Sequence, residues 1–278
     1  MRSEIEQHEI PFAEKRFRGQ KFRRGVYLLP SLFTAANLLC GYYAVVASLV
    51  GGATQFDHAA RAIGFAILFD SMDGRIARMT GTGTEFGVQF DSLADVVSFG
   101  VAPAVMAYAW GVRSLPGMEE MGRHPRLVQL SEFGWVLCLI FLICSAWRLA
   151  RFNVQGMEPG SSKNFVGMPT PAAAGVIAAL VHGFKTPLTS VGWSIAWLLL
   201  PAVLGALMTS KIRYYSFKDV SWTKKYPSLA IVLACVLLAV VWQNSEIALI
   251  LLACTYAIAG VALHALRFLR HRSIARPA

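Results

Sequence analysis

The sequence predicts an all-α integral membrane protein, a helical bundle with about eight membrane-spanning helices. Hydrophobic residues make up 55% of the 278-residue chain and charged residues only 15%, which excludes an ordinary soluble domain. A spanning helix needs about 20 mostly apolar residues, and such runs recur along most of the chain. The candidate spans are 27–50, 57–79, 86–110, 133–152, 168–184, 190–209, 227–242 and 246–266.

The basic residues predict the orientation of this bundle. The formal net charge is +10, but the Lys and Arg residues are distributed among loops and do not form one patch that would suit nucleic acid. If the N-terminus is cytoplasmic, the basic residues on the opposite side are only Arg61, Arg113, Arg123, Arg126 and Lys185. The positive-inside rule therefore predicts that both termini are cytoplasmic. Because the basic residues form no single patch, we expect no nucleic-acid partner.

Residues 1–26 precede the first span and change from acidic to basic along their length. Phe12, Phe17 and Phe22 alternate with the basic residues of the second half. This pattern is typical of an amphipathic segment on an anionic membrane surface. A basic tail that only fixes the topology would give the same pattern, so both interpretations stay open.

The first span carries small and polar residues on one helical face. Thr34, Asn37 and Gly41 are spaced i, i+3 and i+7, and lipid would not favour any of them. Such a face allows two helices to pack closely. The sequence therefore predicts that this face points into the bundle.

The second and third spans contain four acidic residues at membrane depth. Asp70 and Asp73 share one helical face, and Asp91 and Asp95 share another, because each pair lies one turn apart. Residues 80–84 read Thr-Gly-Thr-Gly-Thr, which predicts a turn between two antiparallel helices. The four carboxylates should then converge, and ionisable groups inside a membrane usually mark a functional site.

Four carboxylates in a poorly solvated pocket would repel one another unless they take up protons or bind cations. Oxygen ligands favour hard ions such as Mg²⁺ or Mn²⁺, and four carboxylates could bridge two of them. Gly74 and Ala77 lie on the Asp70 face, and Gly87 lies one turn before Asp91. These small residues leave room for a large flat ligand, which suggests a nucleotide.

The whole pattern reads D-x-x-D-G-x-x-A-R, eight residues, then G-x-x-x-D-x-x-x-D. It resembles the signature of the CDP-alcohol phosphatidyltransferases, membrane enzymes that join an alcohol to the phosphatidyl group of a CDP-activated lipid and release CMP. The resemblance implies that two divalent metal ions, Mg²⁺ or Mn²⁺, are bound by Asp70, Asp73, Asp91 and Asp95. It also implies that Asp95 is the general base and that the enzyme is a homodimer.

The same resemblance implies a binding site for the CDP moiety between the first three spans. The implied contacts are Thr34, Asn37, Asp73, Gly74, Ala77, Arg78 and Gly87. A purely structural interpretation is that the acids form buried salt bridges with Arg75, Arg78 or a distant basic residue. Buried ion pairs, however, contribute little net stability.

A second motif begins at the end of the fourth span. The sequence R-L-A-R-F-N at 148–153, followed by F-V-G-M-P-T-P-A-A at 165–173, resembles the branch of the family that uses L-serine. A guanidinium can bind the serine carboxylate with two parallel hydrogen bonds. The residues implied to bind serine or lipid phosphate are Arg148, Arg151, Asn153 and Lys163. Alternatively, the arginines are only cations at a helix end.

The remaining features predict structure. Pro103 should bend the third span, and His182 should be a hydrogen-bonded packing residue. The domain organisation expected is a cytoplasmic N-terminal segment at 1–26, a phosphatidyltransferase membrane domain at 27–215, and an extension with a basic tail at 216–278. The last two spans carry no recognisable motif.

The function expected is transfer of the phosphatidyl group from CDP-diacylglycerol to L-serine at a site facing the cytoplasm, among membrane lipids, giving phosphatidylserine and CMP. Two alternatives remain. A sister enzyme could use glycerol phosphate or inositol phosphate as the acceptor, and a divalent-cation transporter could use the same acids.

Overall fold

The fold is a helical bundle, as the composition predicts. The computed structural model describes residues 28–81, 84–118, 120, 124–156, 167–210, 212, 239–241 and 243–274. Its main helices within these ranges are α1 (Leu28–Val50), α2 (Ala53–Thr80), α3 (Glu85–Arg113), α4 (Pro125–Gly156), α5 (Thr170–Phe184), α6 (Val191–Thr209) and α7 (Ser245–Ile274).

Helices α1, α3, α4, α6 and α7 are each long and apolar enough to cross a membrane, and α5 is a shorter apolar helix. The predicted N-terminal segment 1–26 and most of the predicted span 227–242 lie outside the described residues. The protein is therefore an integral membrane protein with several spans, as predicted.

Two helices begin earlier than the hydrophobic pattern indicates. Helix α2 begins at Ala53, directly after Gly51 and Gly52, whose φ angles of 77° and 86° make the turn from α1. Helix α4 begins at Pro125, a residue favoured in the first helical turn because it has no N–H to leave unsatisfied. Hydropathy locates the part of a helix that lies in lipid, whereas these polar first turns extend beyond it.

The residues on both sides of the predicted turn between α2 and α3 have the geometry of helix ends. Gly81 ends α2 in the left-handed conformation, and its N–H donates to the carbonyl of Ala77. Thr84 caps α3, because its hydroxyl accepts a 3.0 Å hydrogen bond from the N–H of Gly87. Residues 82 and 83 between them are not described.

Helix α3 is not a regular α-helix. It becomes π-helical over Val96–Val101, directly after Asp95, and again over Ala109–Arg113. The first π-helical run comes just before Pro103, the residue expected to bend this span, which has no N–H to donate. Single π-helical turns occur frequently at functional sites, and this one adjoins the acidic pair of α3.

Helix α1 packs against both α2 and α3. A Cβ atom at Gly41 would lie 2.3 Å from Oγ of Ser98, so only glycine allows the two helices to approach this closely. The Ser98 hydroxyl also donates a 2.9 Å hydrogen bond to the carbonyl of Asn37. The predicted close packing of this face of α1 is therefore confirmed.

A polar network joins α2, α5 and α7 at the other end of the bundle, far along α2 from its acidic pair. Nε2 of His182 lies 2.9 Å from Oγ of Ser245, and its Nδ1 contacts the carboxylate of Asp57. Asp57 also forms a 2.8 Å ion pair with Arg61. His182 is thus buried and hydrogen-bonded, as predicted.

Candidate active site

Three of the four predicted acids meet between α2 and α3. Asp70, Asp91 and Asp95 each place a carboxylate oxygen within 4.8 Å of the other two. Asp95 is buried, whereas Asp70 and Asp91 are half-buried. The i, i+3 and i, i+4 spacings place each pair on one face, and the short turn between the helices brings the two faces together.

Asp73 lies beside this cluster and is held separately. It is buried, and its Oδ2 accepts a 2.8 Å hydrogen bond from the hydroxyl of Thr34 in α1. Asp91 is close enough to interact with it electrostatically. The fourth acid is therefore part of the same site, although it is not one of the three with mutually close oxygens.

Helix α1 supplies a second hydrogen bond to the acids. Nδ2 of Asn37 donates to Oδ1 of Asp95 over 3.0 Å, one turn after Thr34. Thus α1 contacts one acid of each pair and fixes its orientation. The resemblance implied that Thr34 and Asn37 contact a nucleotide, and it gave no indication of this role in holding the carboxylates.

The donor atoms suit a divalent metal ion. Oδ1 of Asp91 is buried and has no hydrogen-bond partner among the described residues, and the same is true of Oδ1 of Asn37. A buried oxygen without a partner is costly unless a ligand satisfies it. Clustered carboxylate oxygens are typical ligands of hard cations, so this site could hold such an ion.

The small residues of the motif have two different environments. A Cβ atom built on Gly74 would have no atom of the described residues within 4 Å, which leaves room for a ligand beside Asp73. Gly87 instead lies over the Thr84 cap, where a Cβ atom would be 3.1 Å from Oγ1. Ala77 is half-buried, and the side chain of Arg78 is not described.

Arg148 on α4 lies within electrostatic range of the acidic site. Its Nη1 donates a 3.0 Å hydrogen bond to Oγ1 of Thr170 at the start of α5, and it lies within electrostatic range of Asp95. Within the described part of the chain, its buried Nε has no partner. Arg151, one turn later, is exposed, so the structure separates two arginines that the sequence could not distinguish.

Asn153, another residue of the predicted acceptor site, lies near the end of α4. Asn153 donates a 2.8 Å hydrogen bond from Nδ2 to Oγ of Ser92, the neighbour of Asp91, and so connects α4 to the acidic helix. Lys163 lies outside the described residues. The sequence motif therefore includes at least one residue that braces the site.

Gly167, in the second half of that motif, has a structural role. Its φ is 91°, its N–H donates a 2.8 Å hydrogen bond to the carbonyl of Ile212, and a Cβ atom would lie 2.2 Å from the carbonyl oxygen of Met208. Only glycine fits here, because both the conformation and the close approach exclude a side chain. This contact joins the start of α5 to the end of α6.

A carboxylate cluster that could bind a metal ion, with an arginine beside it, at one end of a helical membrane bundle is the arrangement expected of a membrane enzyme acting on phosphate groups. The sequence profile of the CDP-alcohol phosphatidyltransferase family matches residues 27–208. The chain belongs to this family, which confirms the resemblance, and it is therefore a phosphatidyltransferase.

Similar proteins come from bacteria and archaea. The CDP-diacylglycerol–serine O-phosphatidyltransferase of Helicobacter pylori is 34% identical over 201 residues, 72% of this chain and 77% of that protein. The protein of the same name from Mycobacterium leprae is 33% identical over 227 residues, 79% of this chain and 69% of that protein. The archaetidylserine synthase of Methanothermobacter thermautotrophicus is 34% identical over 192 residues, 67% of this chain and 69% of that protein.

Proposed function

We propose that this protein transfers the phosphatidyl group of CDP-diacylglycerol to the hydroxyl of L-serine, giving phosphatidylserine and CMP. The single observation that carries the choice of acceptor is the position of Arg148, a half-buried guanidinium within electrostatic range of Asp95. An amino-acid acceptor brings a carboxylate that a guanidinium can bind with two hydrogen bonds. The names of the similar bacterial and archaeal proteins support the same acceptor.

We propose that two divalent ions, Mg²⁺ or Mn²⁺, bind to Asp70, Asp73, Asp91 and Asp95. The proximity of three carboxylate oxygens and the unpartnered Oδ1 of Asp91 support this. When bound, such ions would neutralise the pyrophosphate of the substrate and stabilise CMP as it leaves. Thr34 keeps Asp73 oriented for this task.

Asp95 is the proposed general base. Its Oδ1 accepts the hydrogen bond from Asn37, and Oδ2 is proposed to take the proton of the serine hydroxyl. Because a nearby dication lowers the basicity of a carboxylate, this role requires Asp95 to be the least tightly coordinated of the four acids. The serine oxygen then forms a bond to the lipid-bearing phosphorus, the bond from that phosphorus to CMP breaks, and the proton passes to Asp95. The hydrogen bond from Asn37 keeps the carboxylate in one orientation throughout.

The nucleotide is proposed to lie along α2, where the space beside Gly74 is open. Thr34, Asn37, Asp73, Ala77, Arg78 and Gly87 complete the proposed contacts with CDP. The unpartnered Oδ1 of Asn37 gives this amide an acceptor for the nucleotide while its Nδ2 holds Asp95. One side chain could thereby link the nucleotide to the general base.

The remaining basic residues are proposed to bind lipid phosphate. Arg151 is exposed near the end of α4, where a long cationic side chain can reach the headgroups. Lys163 follows in the sequence between α4 and α5. Asn153 braces α3 through Ser92. We also propose that this end of the bundle faces the cytoplasm, as the distribution of basic residues predicts, and that the enzyme is a homodimer.

An acceptor assay tests the proposed function. Purified full-length protein is incubated with CDP-diacylglycerol, Mn²⁺ and one alcohol at a time, and the release of CMP is measured. We expect release with L-serine and none with glycerol phosphate or inositol phosphate. Release with another alcohol would assign the protein to a sister activity, and no release with L-serine would contradict the proposed acceptor.

Gly74→Leu is expected to raise the KM for CDP-diacylglycerol about tenfold or more, because the new side chain occupies space proposed for the nucleotide. The melting temperature should not fall, since no described atom lies near the position and leucine is the better helix former. Gly64→Leu is the matched control, because Gly64 also has open space but lies on a different face of α2. Equal KM values in the two variants would contradict the nucleotide position.

A further inference from the structure

Helix α7 begins well after the family match ends at residue 208, yet it is firmly attached to the bundle. Ser245 is hydrogen-bonded to His182, and Glu246 forms an ion pair with Lys185. One turn later Ile250 packs on Gly183, where a Cβ atom would lie 2.2 Å from Cδ1 of Ile250. These contacts fix both the position of α7 along α5 and its rotation about its own axis.

With α7 fixed in this way, its inner face continues towards the acidic site. Ala253, Tyr256 and Ala257 pack against the buried core, and their spacing of i, i+3 and i+4 places them on one face. The alanines are small, which lets Tyr256 reach into the bundle between them. The helix on which α7 packs, α5, begins with Thr170, the residue that accepts the hydrogen bond from Arg148.

Tyr256 and Arg148 come within electrostatic range of each other, although they lie more than a hundred residues apart in the chain. Arg148 therefore donates a hydrogen bond to Thr170 on α5, and it lies within electrostatic range of both Asp95 on α3 and Tyr256 on α7. An arginine side chain is long and flexible, so it binds a carboxylate with two hydrogen bonds only if its guanidinium plane is held. Tyrosine suits this task, because it is rigid and its hydroxyl can both donate and accept.

We propose that Tyr256 of α7 is a positioning residue of the acceptor site, which holds the guanidinium of Arg148 in the orientation that binds the serine carboxylate. This inference rests on the proposed function. It gives the C-terminal helix, which lies outside the family match, a part in the choice of acceptor. The two alanines beside Tyr256 then serve to bring its ring close enough to the core.

The test is Tyr256→Phe in the full-length protein, with Thr255→Val as the matched control. Both variants remove one hydroxyl from α7, but Thr255 is exposed and Tyr256 is half-buried. We expect Tyr256→Phe to lower kcat/KM for L-serine about tenfold, through a higher KM, because the proposed orienting contact amounts to one hydrogen bond from the guanidinium to the hydroxyl. The KM for CDP-diacylglycerol and the melting temperature should match those of Thr255→Val.

A structural role for Tyr256 makes a different prediction. If Tyr256 only supports packing, Tyr256→Phe should lower the melting temperature or change the kinetics with both substrates equally. Either result would overturn the proposal. Combining Tyr256→Phe with Arg148→Lys should give a smaller loss than the product of the two single effects, because both act on one carboxylate contact. Independent effects would also overturn it.

The assay also distinguishes the proposed use of L-serine from the proposed role of Tyr256. A wild-type protein that releases CMP only with another alcohol would overturn the proposed function, and this role of Tyr256 with it. A wild-type protein that uses L-serine, together with normal serine kinetics in Tyr256→Phe, would overturn the role of Tyr256 alone.

Discussion

Asp91→Asn is expected to reduce CMP release by at least about a hundredfold. Asparagine keeps the shape of the side chain but removes the negative charge, and it replaces one oxygen by an NH₂ group that cannot bind a cation. Asp91 belongs to the group of three carboxylates, and its Oδ1 is buried without a partner among the described residues. The site therefore loses a proposed metal ligand while the fold keeps its packing.

The matched control for this variant is Glu85→Gln, which removes an exposed carboxylate from the first turn of the same helix. Binding of Mn²⁺, followed by electron paramagnetic resonance without substrate, should weaken in Asp91→Asn and remain unchanged in Glu85→Gln. Thermal melting in detergent verifies that both variants are folded. Unchanged Mn²⁺ binding in Asp91→Asn, or full activity of the wild-type protein in excess EDTA, would contradict the two-metal proposal.

The acidic cluster could be predicted from the sequence because it depends on local geometry. Helical spacing places Asp70 with Asp73 and Asp91 with Asp95. The short turn after Gly81 then favours an antiparallel arrangement of α2 and α3, which brings the two pairs together. Nothing beyond residues close in sequence is needed for this inference. The same reasoning gave the open space beside Gly74, because that glycine lies one turn from Asp70.

Contacts between distant helices could not be predicted in this way. The hydrogen bond from Thr34 to Asp73 joins residues 39 apart, and that from Asn37 to Asp95 joins residues 58 apart. Their partners depend on the rotation of α1 about its own axis. The hydrophobic pattern shows which face of α1 points into the bundle, but it does not show which residue on a neighbouring helix each side chain meets. The resemblance pointed to these two residues without indicating that they hold the acids.

The π-helical run after Asp95 is a second feature that the sequence pattern did not reveal. Pro103 indicated an irregularity in α3, but a proline is compatible with a kink, a break or a wider turn, and the choice depends on packing. Here the run Val96–Val101 packs against α1, α4 and α5, and it includes Ser98, which contacts Gly41. Tertiary packing decided the outcome.

Arg148→Lys is expected to raise the KM for L-serine while leaving that for CDP-diacylglycerol near the wild-type value. Lysine keeps the positive charge but cannot form two parallel hydrogen bonds with one carboxylate. Loss of one charged hydrogen bond is worth about 1.5–3 kcal/mol, or roughly ten- to a hundredfold in kcat/KM for serine. The comparison of the two substrates is the measurement, because a general loss of structure would affect both.

Arg151→Lys is the matched control, since it makes the same change one turn further along α4 at an exposed position. An arginine that only contacts lipid phosphate keeps most of its function as lysine, because a headgroup at the membrane surface accepts a point charge as well as a planar fork. Serine kinetics should therefore be near normal in Arg151→Lys and impaired in Arg148→Lys. Should Arg148→Lys affect both substrates equally, Arg148 would belong with the lipid phosphates. Normal kinetics in both variants would remove the serine site from α4. The acids of α2 and α3 would then still belong to a phosphatidyltransferase, but its acceptor would be bound elsewhere.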